Sequence, residues 1–359
     1  MTDLSLMMEQ ALARRISKEE ALFLYKNAEL AALGCLAHAR RMAMHSTPIV
    51  TYIIDRNINY TNICISGCKF CAYYAAPSSE CQGHSKQRPF LLSKEELAQK
   101  IRETLKLEGR QILLQGGLHP DLPLSYYEDM LSFIKREFPE IHCHAFSPPE
   151  IVHLAKLSHL DIQTVLKRLI SAGLDSIPGG GAEILVDRVR ERIAPRKATA
   201  KEWLEVMETA HGLGLKTTAT MMFGHIETLE ERMEHLQVLR DLQDRTHGFT
   251  AFIPWTFQPQ NTALDVQPAT AHEYLRTLAI SRLFLDNIPN IQASWVTQGP
   301  KMAQISLFFG ANDFGSTMIE ENVVAAAGVS HRLSEQEIQR LIKNAGFEPR
   351  RRRMDYTLL

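Results

Sequence analysis

The feature that most constrains the fold is an alternation that begins near residue 50. Short apolar runs recur at 50–54, 111–114, 141–146, 174–177, 215–220, 249–253, 291–294 and 307–309, with longer amphipathic stretches between them. Those stretches carry helix start signals. Ser93 with Glu96, Thr199 with Glu202 and Thr228 with Glu231 are capping boxes, in which a hydroxyl and a carboxylate satisfy each other's orphan backbone donors. Strands alternating with helices close as right-handed crossovers and build a parallel sheet. Eight such units predict an α/β fold of (β/α)8, TIM-barrel type rather than an open sheet. Residues 5–45 are dominated by Ala, Leu, Met and charged side chains and predict helices, with Ser17–Glu20 as a further box. Ser334–Glu337 starts a last one. The expected organisation is a helical segment over 1–49 packed on the barrel, a barrel over 50–328, and a C-terminal helix and tail over 329–359.

In a barrel of this kind chemistry sits at the C-terminal ends of the strands. The uncommon residues of this chain fall there repeatedly. The first run leads into a polar stretch from Asp55 to Asn62, the second into Gln115-Gly116-Gly117, and the third into His144, Ser147 and Glu150. The fourth is followed by Gly179–Gly181 and Glu183, and the fifth by His225 and Glu227. Trp255, Trp295 and the Asn312-Asp313 pair crown the remaining three. Together they outline one mouth. Singly, each has a plain structural reading. Gly116-Gly117 is either a tight turn or a place where backbone approaches a ligand. Gly179–Gly181 suits an anion at a helix start, but lacks the Lys-Ser/Thr of a phosphate loop, which argues against nucleotide hydrolysis. His144, His225 and Glu150 serve equally well as packed rim residues, and the tryptophans as core or as a platform for a flat ring.

Cys64, Cys68 and Cys71 stand at C-x3-C-x2-C spacing just after the first crown. Four-iron clusters take four thiolates. A cluster held by three leaves one iron open for a chelating cosubstrate. The competing reading is a zinc site, which needs four ligands and usually paired C-x2-C knuckles. Here Cys81 and His84, in the polar loop 75–89, are what would complete it. Cys35, in an expected helix, and Cys143, in an expected buried strand, read as small hydrophobes. Six cysteines in 359 residues, with charges at Glu9, Arg14 and Arg15 in place of an apolar leader, predict a reducing, cytoplasmic setting. A net charge of −1 argues against nucleic-acid and membrane-surface partners, and the basic run Arg350–Arg353 reads as a solvated tail. No apolar stretch reaches the ~18 residues of a membrane span.

With Lys69 and Phe70 before its last cysteine, the loop resembles the radical S-adenosylmethionine (radical SAM) signature. Residues 51–62, 144–150, 175–184, 218–225, 293–299 and 310–322 make the chain similar to the cyclic dehypoxanthinyl futalosine synthases. These are the radical SAM cyclases of the futalosine route to menaquinone, and the likeness covers about 50 to 328. Aminofutalosine synthases and the deazaflavin (FO) synthase subunits share the cysteine loop and layout, and are the alternative, as is a metal-binding module without catalysis. The loop with Ser78, Cys81 and His84 is longer than the family pattern.

The resemblance implies that Cys64, Cys68 and Cys71 ligate a [4Fe-4S] cluster, with S-adenosyl-L-methionine on its open iron. Gly116 and Gly117 would lie near the methionine portion, and Glu183 with Arg190 or Arg192 would be cosubstrate contacts by barrel position. A 5′-deoxyadenosyl radical would take hydrogen from ribose C4′ of dehypoxanthine futalosine, and C4′ would close onto the benzoate ring. His225, Glu227 and Asp313 are the candidate proton acceptors. His144, Ser147, Glu150, Trp255, Trp295 and Asn312 are the candidate substrate contacts. An electron donor such as flavodoxin or ferredoxin is the expected partner.

Overall fold

A computed structural model describes residues 4–77 and 84–359. Its first strand is broken in two at Ile54, into β1 (Ile49–Ile53) and β2 (Asp55–Asn59). From β2 a parallel sheet runs in chain order through β3 (Gln111–Gln115), β4 (His142–Ala145), β5 (Ser176–Ile177), β6 (Lys216–Phe223), β7 (Phe249–Thr256) and β8 (Asn290–Ile291). Next, β9 (Asp313–Ser316) pairs with β1 in parallel, Thr51 opposite Asp313 and Ile53 opposite Ser316. A parallel bridge between Gln292 and Asp313 ties β9 to the end of β8, so the circuit closes as an eight-unit (β/α) barrel. The break at Ile54 lets one strand serve both seams.

Helices wrap the outside: α4 (Lys94–Lys106), α5 (Leu124–Glu137), α6 (Pro148–Ser158), α7 (Ile162–Ala172), α8 (Asp187–Ile193), α9 (Ala200–Gly212), α10 (Leu229–Thr246) and α11 (Ala271–Phe284). Before the barrel, α1 (Leu4–Ala13), α2 (Lys18–Asn27) and α3 (Leu30–Met44) form a helical layer against α10 and α11. Arg276 of α11 donates to the carbonyls of Tyr25 and Ala28 at 2.5 and 2.8 Å, satisfying the C-terminal end of α2. All five capping boxes expected from sequence form, each cap worth about 1 kcal/mol. No helix among the described residues is long and apolar enough to cross a membrane.

Two expectations are corrected. The run 307–309 is not the eighth strand. Pro300 opens a short helix, α13 (Pro300–Ser306), after α12 (Trp295–Gln298), and the three residues form the turn that leaves it. Leu307 is buried while Phe308 is half exposed, so three apolar letters marked a packed turn. The strand lies at Asp313–Ser316, polar in composition, and is held by its ladder to β1. Nor is Arg350–Arg353 a solvated tail. After α14 (Val323–Ala326) and α15 (Glu335–Asn344), β10 (Glu348–Arg351) pairs in parallel with the other edge of β1. Arg352 then turns inward and is buried.

Candidate active site

The cysteine loop leaves the top of β2 and is fixed from several sides. Cys64 N–H donates to Ala75 O (2.9 Å), Ile65 N–H to Leu118 O (3.0 Å) and Lys69 N–H to Ile193 O (2.8 Å). Gly67 takes a left-handed φ of +55°, and a Cβ there would lie 2.5 Å from the Arg196 guanidinium. Gly117 packs against the loop itself. A Cβ on it would fall 2.2 Å from Ile63 O and 2.9 Å from Cys64 Cβ. The neighbouring Gly116 passes over the Tyr60 ring, and its N–H donates to Glu150 Oε1 at 3.1 Å.

Glu150 organises this turn. It accepts from Tyr60 Oη (2.6 Å) as well as Gly116, and from the backbone and hydroxyl of Ser147 (2.8 and 2.6 Å) in a buried capping box at the start of α6. Burial pushes its pKa up to about 7, against these hydrogen bonds. Ser147 and Glu150 thus lie together, as a clamp on the glycine turn.

Glu183 has φ +40° and points to Lys197 Nζ (2.9 Å) and Arg190 Nη1 (3.6 Å). Arg190 is buried and spends its guanidinium on the carbonyls of Gly181, Ala182 and Ala198, so it builds the turn that carries Glu183; Arg192 is exposed. Lys197 sits 5.1 Å from the Phe70 ring centroid. Burial opposes its charge, but Glu183 and the Cys68 sulfur outweigh that and raise its pKa. Sequence reading missed this lysine, which follows Ala-Pro-Arg with no pattern to mark it.

Below the loop a cavity of about 290 Å³ runs down the barrel axis, from Glu183 and the three glycines to Arg352, Met354 and Tyr356 at the base. His144, Trp255 and Trp295 line it. His144 Nδ1 meets Ser176 Oγ at 2.7 Å, and burial holds the ring well below the usual histidine range, hence neutral. Trp295 anchors its indole N–H on Ser316 O (3.0 Å). The wall also holds Asp55, Asn57, Gln111 and Gln115. The period-two spacing of polar residues within buried strands is the signal that would have singled them out.

The other candidates lie elsewhere. Glu227 is fully buried with His225 Nδ1 at 3.0 Å and Arg232 at 2.7 Å; burial opposes its charge, but His225 and Arg232 hold its pKa down to about 2. The second ring nitrogen of His225 meets Met222 O at 3.0 Å. Neither residue lines the cavity. Asp313 is bound by Arg352 through two hydrogen bonds (2.5 and 3.0 Å) and by Thr51 Oγ1 (2.5 Å). Asn312 clamps β8 to β9 through Ile291 N–H (2.9 Å), Asn290 (2.8 Å) and Arg282 (2.6 Å).

The sequence pattern of the radical SAM superfamily matches residues 58–239, and that of the CofH/MqnC C-terminal region matches 246–359. The chain belongs to the radical SAM superfamily. Radical SAM chemistry is thus the setting for the site above. Proteins named cyclic dehypoxanthine futalosine synthase from Streptomyces coelicolor and Halalkalibacterium halodurans are 48% and 47% identical to this radical SAM enzyme. They align over 99% and 96% of it and over 88% and 92% of their own lengths. A protein from Methanothermobacter thermautotrophicus named 5-amino-6-(D-ribitylamino)uracil–L-tyrosine 4-hydroxyphenyl transferase is 42% identical, over 96% of this chain and 95% of its own. Methylornithine synthase (PylB) superposes with a TM-score of 0.72 at 17% identity, covering 96% of this chain and 97% of its own. The hydrogenase maturase HydG of Carboxydothermus hydrogenoformans gives 0.76 at 16%, covering 98% and 80%. These two speak to the fold.

The donor set fits a four-iron cluster. Burial pushes the Cys68 thiol up to about 12 and raises Cys71, while Lys197 and the Ser66 hydroxyl (3.0 Å from Cys68 Sγ) work the other way on Cys68. Such thiols ionise when metal supplies the balancing charge. Among the described residues no three His, Cys, Asp or Glu side chains are grouped as ligands of one ion; a cluster has separate corners and asks for no such convergence. His84 sets its Nε2 on Cys71 O at 2.8 Å, and Cys81 lies outside the described residues with Ser78.

Proposed function

We propose that this enzyme converts dehypoxanthine futalosine into cyclic dehypoxanthine futalosine by closing a carbon–carbon bond, a step of the futalosine route to menaquinone. The observation that carries the reading is the near-full-length likeness to two proteins of that name, closer than the likeness to the 4-hydroxyphenyl transferases. The [4Fe-4S] cluster, on Cys64, Cys68 and Cys71 with S-adenosyl-L-methionine at its open iron, supplies when bound a carbon radical that removes a hydrogen atom.

The protein's own residues do the rest. Gly116 and Gly117, held by Glu150, set the distance between the glycine turn and the cysteine loop. Glu183 and Lys197 offer an ion pair to the polar end of the cosubstrate. Enclosure within the barrel, with Trp255 and Trp295 on one side, keeps bulk water from an intermediate that reacts with almost anything, so positioning carries most of the catalysis. In the substrate, C4′ of the ribose loses hydrogen and bonds to a carbon of the benzoate ring. Loss of one proton, and of one electron to a one-electron carrier of the kind named below, then restores aromaticity.

Asp55 takes that proton. It lines the cavity, and its side-chain partners are the neutral Gln111 (2.8 Å) and Ser316. Burial raises its pKa above the ordinary aspartate, whereas His225 and Glu227 pair with each other off the cavity and Asp313 is held by Arg352 and Thr51. The exposed Lys69 and Arg196 beside the cysteine loop suit an acidic one-electron carrier of flavodoxin or ferredoxin type in the reducing cytoplasm.

A second reading, aryl transfer from tyrosine to a ribitylaminouracil, is favoured by the transferase likeness. Anaerobic incubation with dithionite, S-adenosyl-L-methionine and dehypoxanthine futalosine, read by mass spectrometry, separates the two. A product two hydrogens lighter than substrate, with matching 5′-deoxyadenosine, supports the cyclase. Product only from tyrosine and 5-amino-6-(D-ribitylamino)uracil replaces it with the transferase.

A further inference from the structure

The proton that Asp55 takes has to leave an enclosed barrel, and its own partners give it no way out. Gln111 offers only an amide N–H, and the Ser316 hydroxyl accepts in turn from the backbone N–H of Met318 (2.7 Å), which passes no proton on. His144 shares the cavity with Asp55, and Arg352 is a charge near both. His142 and His144 stand two residues apart on β4, so their side chains point to the same side of the strand. His144 pairs with Ser176 of β5. The Ser176 hydroxyl, on a residue only 1% exposed, lies between the two rings, 2.7 Å from His144 Nδ1 and 2.7 Å from His142 Nε2.

Burial lowers the pKa of both rings. On His142, Asp175 and Asp355 oppose that shift and Lys135 adds to it; on His144, His142 and Arg352 add to it. Each ring is thus neutral near pH 7, with one N–H and one bare nitrogen. Ser176 has a single proton to give, so one ring donates to it while the other accepts. The rings are therefore bound to the same tautomer, both protonated on Nδ1 or both on Nε2. Their far nitrogens open on different spaces. His144 Nε2 and His142 Nδ1 make no hydrogen bond among the described residues, and neither is sealed in by protein. His144 lines the cavity. His142 lines a cleft of about 670 Å³ at the barrel base, where Glu108, Arg110 and Glu140 are exposed; Arg352 and Met354 lie between the two spaces and line both. Packing asks for one partner on Ser176. Two rings, each facing a different space, make a path.

We propose that His144, Ser176 and His142 carry a proton through the barrel floor, from the cavity to the base cleft. The proton comes from the cyclase reaction, so its source rests on that reading. It passes from the substrate ring carbon to Asp55, and crosses to His144 Nε2 through water or a sugar hydroxyl in the cavity. The His144 Nδ1 proton then moves to Ser176 Oγ, the Ser176 proton to His142 Nε2, and the His142 Nδ1 proton to water in the cleft. One proton enters, one leaves, and no electron moves. Once product has gone, water in the open cavity takes the His144 Nε2 proton and the chain runs back to its starting tautomers.

Two measurements test the path. The first is 15N NMR of the histidine rings in the full chain with its cluster oxidised, so that nothing turns over. His142 and His144 should show matched tautomers in the wild type and in Ser176→Thr, and lose the match in Ser176→Ala. Unmatched rings in the wild type overturn the path, because the hydroxyl then links only one of them. The second is single turnover with dehypoxanthine futalosine, read as cyclic product per 5′-deoxyadenosine. Ser176→Ala should lower that ratio about 100-fold, and Ser176→Thr should restore it. His142→Gln keeps an acceptor for the Ser176 hydroxyl but passes no proton on, so it should show the same loss even if Ser176→Ala fails to fold. A wild-type ratio in His142→Gln makes the triad a packing contact and overturns the path, as does an equal fall in both products. A wild type that forms no cyclic product ends the cyclase reading, and the path then stands or falls by the tautomers alone.

Discussion

At Gly117 one missing methyl group sets where the cysteine loop can sit. The Cβ of an alanine would meet Ile63 O at 2.2 Å, and that oxygen is backbone, so relief requires moving the loop rather than turning a side chain. Displacements near 1 Å at a reacting centre cost on the order of 100-fold in rate. Gly117→Ala is therefore expected to slow S-adenosylmethionine cleavage by about 100-fold; a wild-type rate in single-turnover assays would show that the loop is positioned by other contacts. Cys68→Ala tests the ligand set. It removes one buried sulfur, so the fold should survive by circular dichroism while iron content and visible absorption collapse. Retained turnover with an intact cluster would refute the assignment. The family was legible because the cysteine signature lies in local spacing. Lys197 was not, since what makes it matter is Glu183, fourteen residues away and brought close by the turn that Arg190 builds.

Elements were legible where helices begin and illegible where strands are very short. A capping box is a local contract between two side chains, which is why five expected boxes are found. The seventh strand, by contrast, is two residues long, and the eighth is Asp-Phe-Gly-Ser. Their partners in the ladder fix them, and no single window of sequence carries that information. The joints between elements hold a pH-sensitive contact. His211, near the end of α9, meets Thr246 Oγ1 of α10 and Thr217 Oγ1 of β6, each at 2.7 Å. Thr246 donates to Leu242 O (2.9 Å), so it accepts from His211 Nδ1–H, and Thr217 donates to Nε2. Burial, aided by Lys216, lowers this histidine from 6.5 to about 4. Between those values the unfolded chain binds a proton that the folded chain refuses. Stability should therefore fall as pH drops from about 6.5 toward 4, by at most about 1.4 kcal/mol per unit from this group. His211→Gln should flatten that slope in urea titrations at the cost of about 1 kcal/mol at pH 7. An unchanged slope would place the acid sensitivity elsewhere.

On the scale of the whole molecule, the barrel is closed at its base by the end of its own chain. β10 lies along β1, β9 lies along the other edge, and the Arg352–Asp313 pair joins the two neighbours across the strand between them. Arg352 also stacks over the Tyr356 ring, 3.9 Å from its centroid, and forms the floor of the cavity. The pair is almost wholly buried, with side-chain exposures of 4% and 0%. Two charges removed from water gain little net stability over apolar residues of the same size, yet breaking such a pair from one side strands the other charge. Arg352→Met alone should therefore cost about 3–5 kcal/mol in urea unfolding, and adding Asp313→Leu should return most of that loss. The double variant should nevertheless have an altered cavity floor, so its defect should move from stability to substrate affinity. If the single variant unfolds like wild type, the tail is an appendage and the barrel is closed by its ladder alone.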